Sequence, residues 1–300
     1  MPISSPIVIL DSGLGGLTVA KALRRALPRE DLLYFGDTAR VPYGSKTAAT
    51  VTRFVREIIS YFEPSDPKHV VIACNTATAL ALPAITEAFA HRSITGVIEP
   101  GAAAALEAVK GKASATIGII ATDATVRSEV YVRTIQARRA DVHLLARSTP
   151  LLVPIIEEGR TAEDPLVRLA LEQYLSPMVG AGIDALVLGC THYPILKEMI
   201  AEMIAPAAVI DSADYCAQDV ARRLGSRNLL RDEGEGSLRC FVTDDPLRFT
   251  CLASRVVGTE LEPARWVSLD ELHEKPQSND AAMVLAGDGA GVALRGMPDR

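Results

Sequence analysis

The sequence predicts an α/β protein built as two related halves on mainly parallel sheets. Three observations carry this expectation. Short, continuously apolar runs such as Ile7-Val8-Ile9-Leu10 and Val70-Val71-Ile72 read as strands buried on both faces, the habit of parallel sheets. These runs alternate with helix-patterned stretches, an order that gives parallel pairing through right-handed crossovers. The runs also end alike, in Asp11-Ser12, Cys74-Asn75-Thr76, Thr122, Cys190-Thr191-His192 and Asp211-Ser212, and that recurrence suggests a repeated layout.

Taken in order, the first strand turns through Asp11-Ser12-Gly13-Leu14-Gly15-Gly16 into a helix over 17–27. A second strand, 32–35, precedes a loop over 36–45 rich in residues that punctuate structure and bind ligands, and a helix follows to Phe62. Beyond the Cys74 strand a helix is expected over 76–91, with Pro83 marking a kink or a boundary. A short strand at 95–98 is followed by Glu99-Pro100-Gly101, which breaks the pattern before an alanine-rich helix and marks the expected crossing between domains. The strand 116–121 leads into a helix reaching about Arg139, capped by Thr122 or Asp123. A strand over 142–146, an apolar segment over 151–158 and a helix over 165–179 come next. The Cys190 strand, 185–188, leads through Pro194 into a helix ending near Ile204, and 208–210 forms a short strand. A polar stretch, 225–237, precedes a late strand over 238–242. The expected domains are 1–98 plus 209–274, discontinuous in sequence, and 99–208, with 275–300 as a loosely ordered tail.

Three hundred residues suffice for two modest domains, and a 48% hydrophobic content allows a sizeable core. A net charge of −6 without basic clusters argues against nucleic acid or an anionic membrane surface as the main partner and leaves a small molecule. There is no charged start leading into an apolar signal region, and no run approaches the roughly 18 apolar residues of a membrane span, so a cytoplasmic protein is expected. The five cysteines form no CxxC pair and are too sparse for a disulfide framework. Reduced thiols follow, with Cys216, Cys240 and Cys251 assigned as small buried hydrophobes.

Cys74 and Cys190 differ in position. The ligand crevice of an open parallel sheet lies beyond the carboxyl ends of its strands. Each of these thiols stands there, beside an expected helix N-terminus whose dipole and free amides favour a thiolate. Position alone leaves two readings, paired acid/base thiols or two unrelated buried cysteines. A single such thiol would suggest a nucleophile, which wants a His base and an orienting Asn or Asp. Two in equivalent places suggest a carbanion held between them, losing a proton to one face and regaining it from the other, which inverts a stereocentre. His192 is either a satisfied core histidine or a group tuning Cys190 two residues away. Asp11 either caps the glycine-rich turn or faces the site; a carboxylate there repels phosphate, and Gly13-Leu14-Gly15-Gly16 lacks the GxGxxG spacing of a nucleotide cradle. Ser12, Asn75, Thr76, Thr122 and Thr191, with the amides of Tyr43 and Gly44, suit a carboxylate and an ammonium group. Glu157 and Glu158 read by default as a solvated helix face. No lysine stands at a strand end to anchor pyridoxal phosphate, and the Cys and His positions lack metal-site spacing, so chemistry with no cofactor and no metal is expected. Electrostatic stabilisation of a carbanionic transition state must then help the thiolate.

The motifs Leu10-Asp11-Ser12-Gly13-Leu14-Gly15-Gly16-Leu17-Thr18, Tyr34-Phe35-Gly36-Asp37-Thr38-Ala39-Arg40-Val41-Pro42-Tyr43-Gly44, Ala73-Cys74-Asn75-Thr76-Ala77 and Gly189-Cys190-Thr191-His192-Tyr193-Pro194 occur in this order and spacing. Over about residues 7–270 the chain closely resembles the glutamate racemases of the aspartate/glutamate racemase superfamily. The resemblance implies two pseudo-symmetric three-layer α/β domains facing across a cleft that holds the active site, commonly in a dimer. It implies cofactor-independent interconversion of L- and D-glutamate for bacterial peptidoglycan. Cys74 would serve the D-enantiomer and Cys190 the L-enantiomer, with Asp11 and His192 assisting the thiols. Glu157, in Val153-Pro154-Ile155-Ile156-Glu157-Glu158-Gly159, matches an assisting glutamate near the cleft. Asp11, Ser12, Pro42, Tyr43, Gly44, Asn75, Thr76, Thr122, Thr191 and His192 match the family's glutamate-site positions. Two departures are visible: Arg147-Ser148-Thr149-Pro150 lacks the cysteine often found before the Glu157 segment, and the chain after about Glu274 runs past the usual end. A racemase for aspartate or another acidic amino acid is the nearest alternative, since two thiols do not fix side-chain length. A solute-binding or regulatory protein using the same cleft without turnover is the other.

Overall fold

Strand β1 (Ile7–Asp11) is apolar throughout because it is covered on both faces: Ile7 and Ile9 enter one core, Val8 and Leu10 another. The computed structural model describes residues 2–273, so the expected tail, 275–300, lies outside the described residues. The chain continues through α1 (Leu17–Ala26), β2 (Leu32–Gly36), α2 (Ala48–Phe62), β3 (His69–Ile72), α3 (Asn75–Ala88), β4 (Ile94–Gly96) and α4 (Ile98–Ala108). It then forms β5 (Thr116–Ala121), α5 (Asp123–Arg127), α6 (Val130–Gln136), β6 (His143–Ser148), α7 (Leu152–Glu157), α8 (Pro165–Gly180), β7 (Ala185–Gly189), α9 (Lys197–Ile204) and β8 (Ala208–Ile210). The last elements are α10 (Ser212–Gly225), β9 (Leu238–Val242), α11 (Pro246–Val257), β10 (Arg265–Trp266) and α12 (Leu269–His273). Among the described residues no helix is long and apolar enough to cross a membrane.

The strands make two sheets, ordered β10-β9-β2-β1-β3-β4 and β6-β5-β7-β8, with every pairing parallel. Each sheet is the middle of three layers. Residues of α1, α10 and α11 cover one face of the first sheet and those of α2, α3 and α12 the other. For the second, α7, α8 and α9 lie on one face and α4 and α6 on the other. The order β2-β1-β3-β4 recurs as β6-β5-β7-β8. In both, the chain leaves a central strand to one side and returns to its other side, so the ligand crevice falls beyond the ends of β1 and β3 and of β5 and β7. Leu10 pairs with Ile72 and Ala121 with Gly189. Continued along the strands, that register sets Ser12 level with Cys74 and Thr122 level with Cys190.

Several sequence-based expectations need correction. Asp211 and Ser212 follow β8, whose counterpart is β4, so they are not the equivalents of Asp11 and Ser12; Asp211 instead caps α10 by accepting from the Ala213 N–H at 2.9 Å. β8 pairs with β7, so a domain return placed at 209 would cut a strand of the second sheet. Glu99-Pro100-Gly101 is no break: α4 starts at Ile98, and Pro100 occupies its first turn, where a missing N–H is harmless. Pro83 neither ends nor divides α3, because Ala77, Ala81 and Ile85 bury one stripe on both sides of it. The single helix expected after Thr122 is two, divided at Glu129 (φ +54°), which turns Tyr131 and Ile135 into the core; Thr122 stands before α5 without a capping bond. Cys216 and Cys240 are buried as expected, whereas Cys251 is exposed on α11.

Candidate active site

Cys74 and Cys190, carried by different sheets, line one pocket. Ten of its lining residues were expected from sequence: Ser12, Pro42, Tyr43, Gly44, the two cysteines, Asn75, Thr76, Thr122 and Thr191, and His192 makes an eleventh. Asp11 and Glu157 stand behind that wall rather than in it. Asp11 is fully buried and accepts from the Gly13 N–H at 3.0 Å and from the Thr191 hydroxyl at 3.2 Å. Glu157, at the end of α7, accepts from the imidazole of His192 at 2.6 Å and from the Leu14 N–H at 3.4 Å. It is therefore part of the site and not a solvated face, whereas its neighbour Glu158 is exposed and pairs with Arg160.

The two thiols sit in different settings. Cys74 precedes α3, and its sulfur accepts from the Ala77 N–H at 3.5 Å and lies 3.8 Å from the Ser12 hydroxyl. Burial nevertheless pushes this thiol up to about 12, with the charge of Asp11 adding to the effect, so the helix end does not leave a thiolate at rest. Cys190 is followed by a tight 3-10 turn (Tyr193–Leu196) before α9 begins, so it does not lead directly into an α-helix N-terminus as Cys74 does. Its sulfur lies 3.6 Å from Nδ1 of His192. Burial opposes charge on His192, but the bonds to Cys190 and Glu157 and their negative charges outweigh it and hold the imidazole pKa well above its usual range. Glu157 is correspondingly held below the usual carboxylate range: burial works against its charge, and His192 more than compensates. Asp11 is raised by burial, against the opposing charge of His192 and the amides of Gly13 and Gly16.

Residues next to each thiol reach across to the other sheet. Thr76 bonds the hydroxyls of Thr122 (2.8 Å) and Thr125 (3.2 Å), Asn75 bonds Tyr131 (2.7 Å), and Thr191 bonds Asp11. Glycines permit the approach. A Cβ on Gly15 would lie 2.5 Å from Thr191 Oγ1 and 2.6 Å from His192 Nδ1, and one on Gly44 would lie 2.6 Å from Thr122 Cβ.

The sequence profile of the Asp/Glu/Hydantoin racemase family matches residues 15–220. The chain belongs to this racemase family. A glutamate racemase of Thermus thermophilus is 45% identical over 268 residues, spanning 89% of this chain and 98% of that protein. One of Neisseria meningitidis serogroup A is 42% identical over 265 residues, with 88% and 97% covered. Among solved structures, Thermus thermophilus glutamate racemase in complex with β-chloro-D-alanine superposes with a TM-score of 0.80 at 44% identity, covering 90% of this chain and all (100%) of that one. The Francisella tularensis enzyme in complex with D-glutamate gives 0.82 at 36% identity, covering 89% and 99%. The protein is an isomerase, akin to glutamate racemases in sequence and in its two sets of parallel strands.

Sequence reasoning did not single out several residues in and around this pocket. Val153 lines the pocket from α7. Asp37 holds the 38–45 loop, accepting from Tyr43, from Arg40 Nε at 2.7 Å and from Thr243 at 3.0 Å, so the Tyr43 hydroxyl is spent inside the wall. Tyr131 holds Asn75, and Arg248, from α11, donates to the Glu157 carbonyl at 2.8 Å. Asp37 and Val153 stand inside motifs read from the sequence without being singled out there, whereas Tyr131 and Arg248 carry no local sequence signal. The contacts of Tyr131, Arg248 and Thr243 join residues between 56 and 206 positions apart.

Proposed function

We propose that the protein interconverts L- and D-glutamate without a cofactor, with Cys74 and Cys190 as the two acid/base groups. The observation that carries the reading is the pair of thiols at equivalent ends of two matching parallel sheets, lining one pocket. In this scheme one cysteine sulfur, as thiolate, takes the α-proton and becomes a thiol. The electron pair left on Cα is delocalised into the carboxylate, and the other cysteine delivers its S–H proton to the opposite face and becomes the thiolate. The number of thiolates is unchanged.

The electrostatics favour one starting state. Cys74 prefers its thiol form, and the imidazolium of His192 is the group able to compensate negative charge on Cys190. That set begins with Cys190 accepting the proton of L-glutamate and Cys74 donating on the D-face, in keeping with the family's assignment of the two thiols. Glu157 supports the imidazolium, and Asp11 fixes Thr191 and the glycine-rich turn behind the pocket. Ser12, Asn75, Thr76, Thr122, Thr191 and the turn at Pro42, Tyr43 and Gly44 hold the amino acid. D-Glutamate as ligand is in keeping with the Francisella tularensis complex.

The wider reading is a cytoplasmic homodimer supplying D-glutamate for peptidoglycan. Each chain would fold as two domains, 1–98 with the residues after β8, and the segment between them. The test is each glutamate enantiomer in heavy water, following α-deuterium incorporation and optical rotation, with aspartate in parallel. Deuterium entry and loss of rotation with glutamate support the proposal, and the absence of both in folded protein would refute it. Faster turnover of aspartate would move the substrate to the shorter acid.

A further inference from the structure

Asn75 is 3% exposed and lines the pocket, yet its side-chain nitrogen is buried with no hydrogen-bond partner among the described residues. Its oxygen is occupied: the Tyr131 hydroxyl lies 2.7 Å from Oδ1. Tyr131 is itself 3% exposed, and no other acceptor is in reach of its hydroxyl among the described residues. A phenol proton with one acceptor fixes which end of the amide it faces, because only the oxygen can accept. We propose that Tyr131 is a positioning residue for substrate: it locks the Asn75 amide with its two N–H donors turned into the pocket, ready for a carboxylate.

The chemistry selects the carboxylate over the other end of an amino acid. An amide nitrogen offers donors only, so an ammonium group would meet it donor to donor, while a carboxylate accepts from both. The amide also stands at the first residue of the 14-residue helix α3, where the helix dipole favours an anion. A buried donor left unfilled is costly and is normally found only where something else completes it.

The lock joins the two halves of the site. Asn75 opens α3 on the first sheet, and Tyr131 lies on α6 against the second. The amide is oriented by a contact that both halves must supply. Sequence gives no hint of this, because the two residues are 56 positions apart.

The inference rests on the glutamate reading above, and the test separates the two. The parent protein, Tyr131→Phe, Asn75→Ala and the double variant are assayed for glutamate racemisation, with thermal melting of each. Tyr131→Phe removes one oxygen and is expected to raise KM about 10-fold with kcat within about twofold. In the Asn75→Ala background the same change should shift KM by less than about twofold, since there is no amide left to orient. An equal KM effect in both backgrounds, or an unchanged KM in Tyr131→Phe, overturns the inference alone. Should Tyr131→Phe melt early, its KM at a temperature where it is folded decides. A parent protein that does not turn over glutamate overturns the function and this inference together.

Discussion

His192 Nε2 lies 2.6 Å from Glu157 Oε1, and Nδ1 of the same ring lies 3.6 Å from the Cys190 sulfur, so one imidazole bridges a carboxylate and a thiol. A neutral imidazole has one donor, whereas the imidazolium has two, and only the charged ring can donate to both neighbours. The geometry also suits a neutral ring that donates from Nε2 to Glu157 and accepts at Nδ1 from the Cys190 thiol; it is the charge of Glu157 and the bonds on both sides that raise the His192 pKa and favour the protonated ring. Arg248 fastens the Glu157 carbonyl from outside, at the end of α7 where helix carbonyls lack partners.

Replacing Glu157 by Gln keeps an acceptor near His192 and removes the charge. The raised pKa of His192 means that the imidazolium is present below that pKa and lost as pH rises through it. Without the carboxylate that loss moves to lower pH. The expected outcome is an alkaline limb of the kcat/KM profile shifted to lower pH, with activity at mildly alkaline pH down about 10-fold. An unshifted limb would show that Glu157 does not set the charge of His192.

Much of the fold was legible because its strands are short apolar runs with marked ends. Ile7 to Leu10 and Ala185 to Leu188 announce burial on both faces, and the thiols after β3 and β7 announce the crevice. Glu157 was not legible from its own surroundings, since two adjacent glutamates at a helix end look solvated. Only its bond to His192, 35 residues later, separates it from Glu158. The break at Glu129 was hidden for a similar reason: a good helix pattern gives way to a turn that core packing of Tyr131 and Ile135 favours. The pull of burial on Cys74 was also hidden, because a helix N-terminus is visible in sequence and desolvation is not.

Gly15 tests the close fit of the two halves. An alanine there places its Cβ 2.5 Å from Thr191 Oγ1, 2.6 Å from His192 Nδ1 and 2.8 Å from the His192 backbone nitrogen. The last is main chain and cannot swing aside, so the halves must part. Gly15→Ala is expected to lower kcat/KM by about 100-fold, on the scale of a misplaced catalytic group. Gly180→Ala is the control: it has open space around it in α8, so activity should hold and stability rise by up to about 1 kcal/mol. Matched activities in the two variants would remove the argument from close approach.

His69 governs part of the acid stability, away from the site. Its ring nitrogens face the hydroxyls of Ser93 at 2.9 Å and Thr95 at 2.8 Å, which satisfy a neutral ring, and burial, aided by Arg223 and Arg227, pushes its pKa down to about 3. The unfolded chain takes up this proton near pH 6.5 and the folded chain does not. Above that pH the group costs nothing, and stability falls as pH drops from there toward 3. Between pH 6.5 and 4 the loss is on the order of 3 kcal/mol. Denaturant titration at pH 7 and pH 4 should show a shallower acid slope in His69→Gln than in the parent, and equal slopes would contradict it.

The two thiols make the sharpest prediction, and it lies in isotope entry rather than in rates. Enantiomers are equal in free energy, so kcat/KM must stay equal in both directions whatever is mutated. Cys74→Ser and Cys190→Ser should each lower it by at least about 100-fold, the usual scale for losing an acid/base group. What differs is what the surviving thiol can still do. With Cys190 intact, Cys74→Ser should take the α-proton of L-glutamate and return a solvent deuteron to the same face, labelling L-glutamate without inverting it. With Cys74 intact, Cys190→Ser should label D-glutamate in the same manner. Proton NMR in heavy water reads both, and a variant that labels the two enantiomers alike assigns the faces to something other than these cysteines.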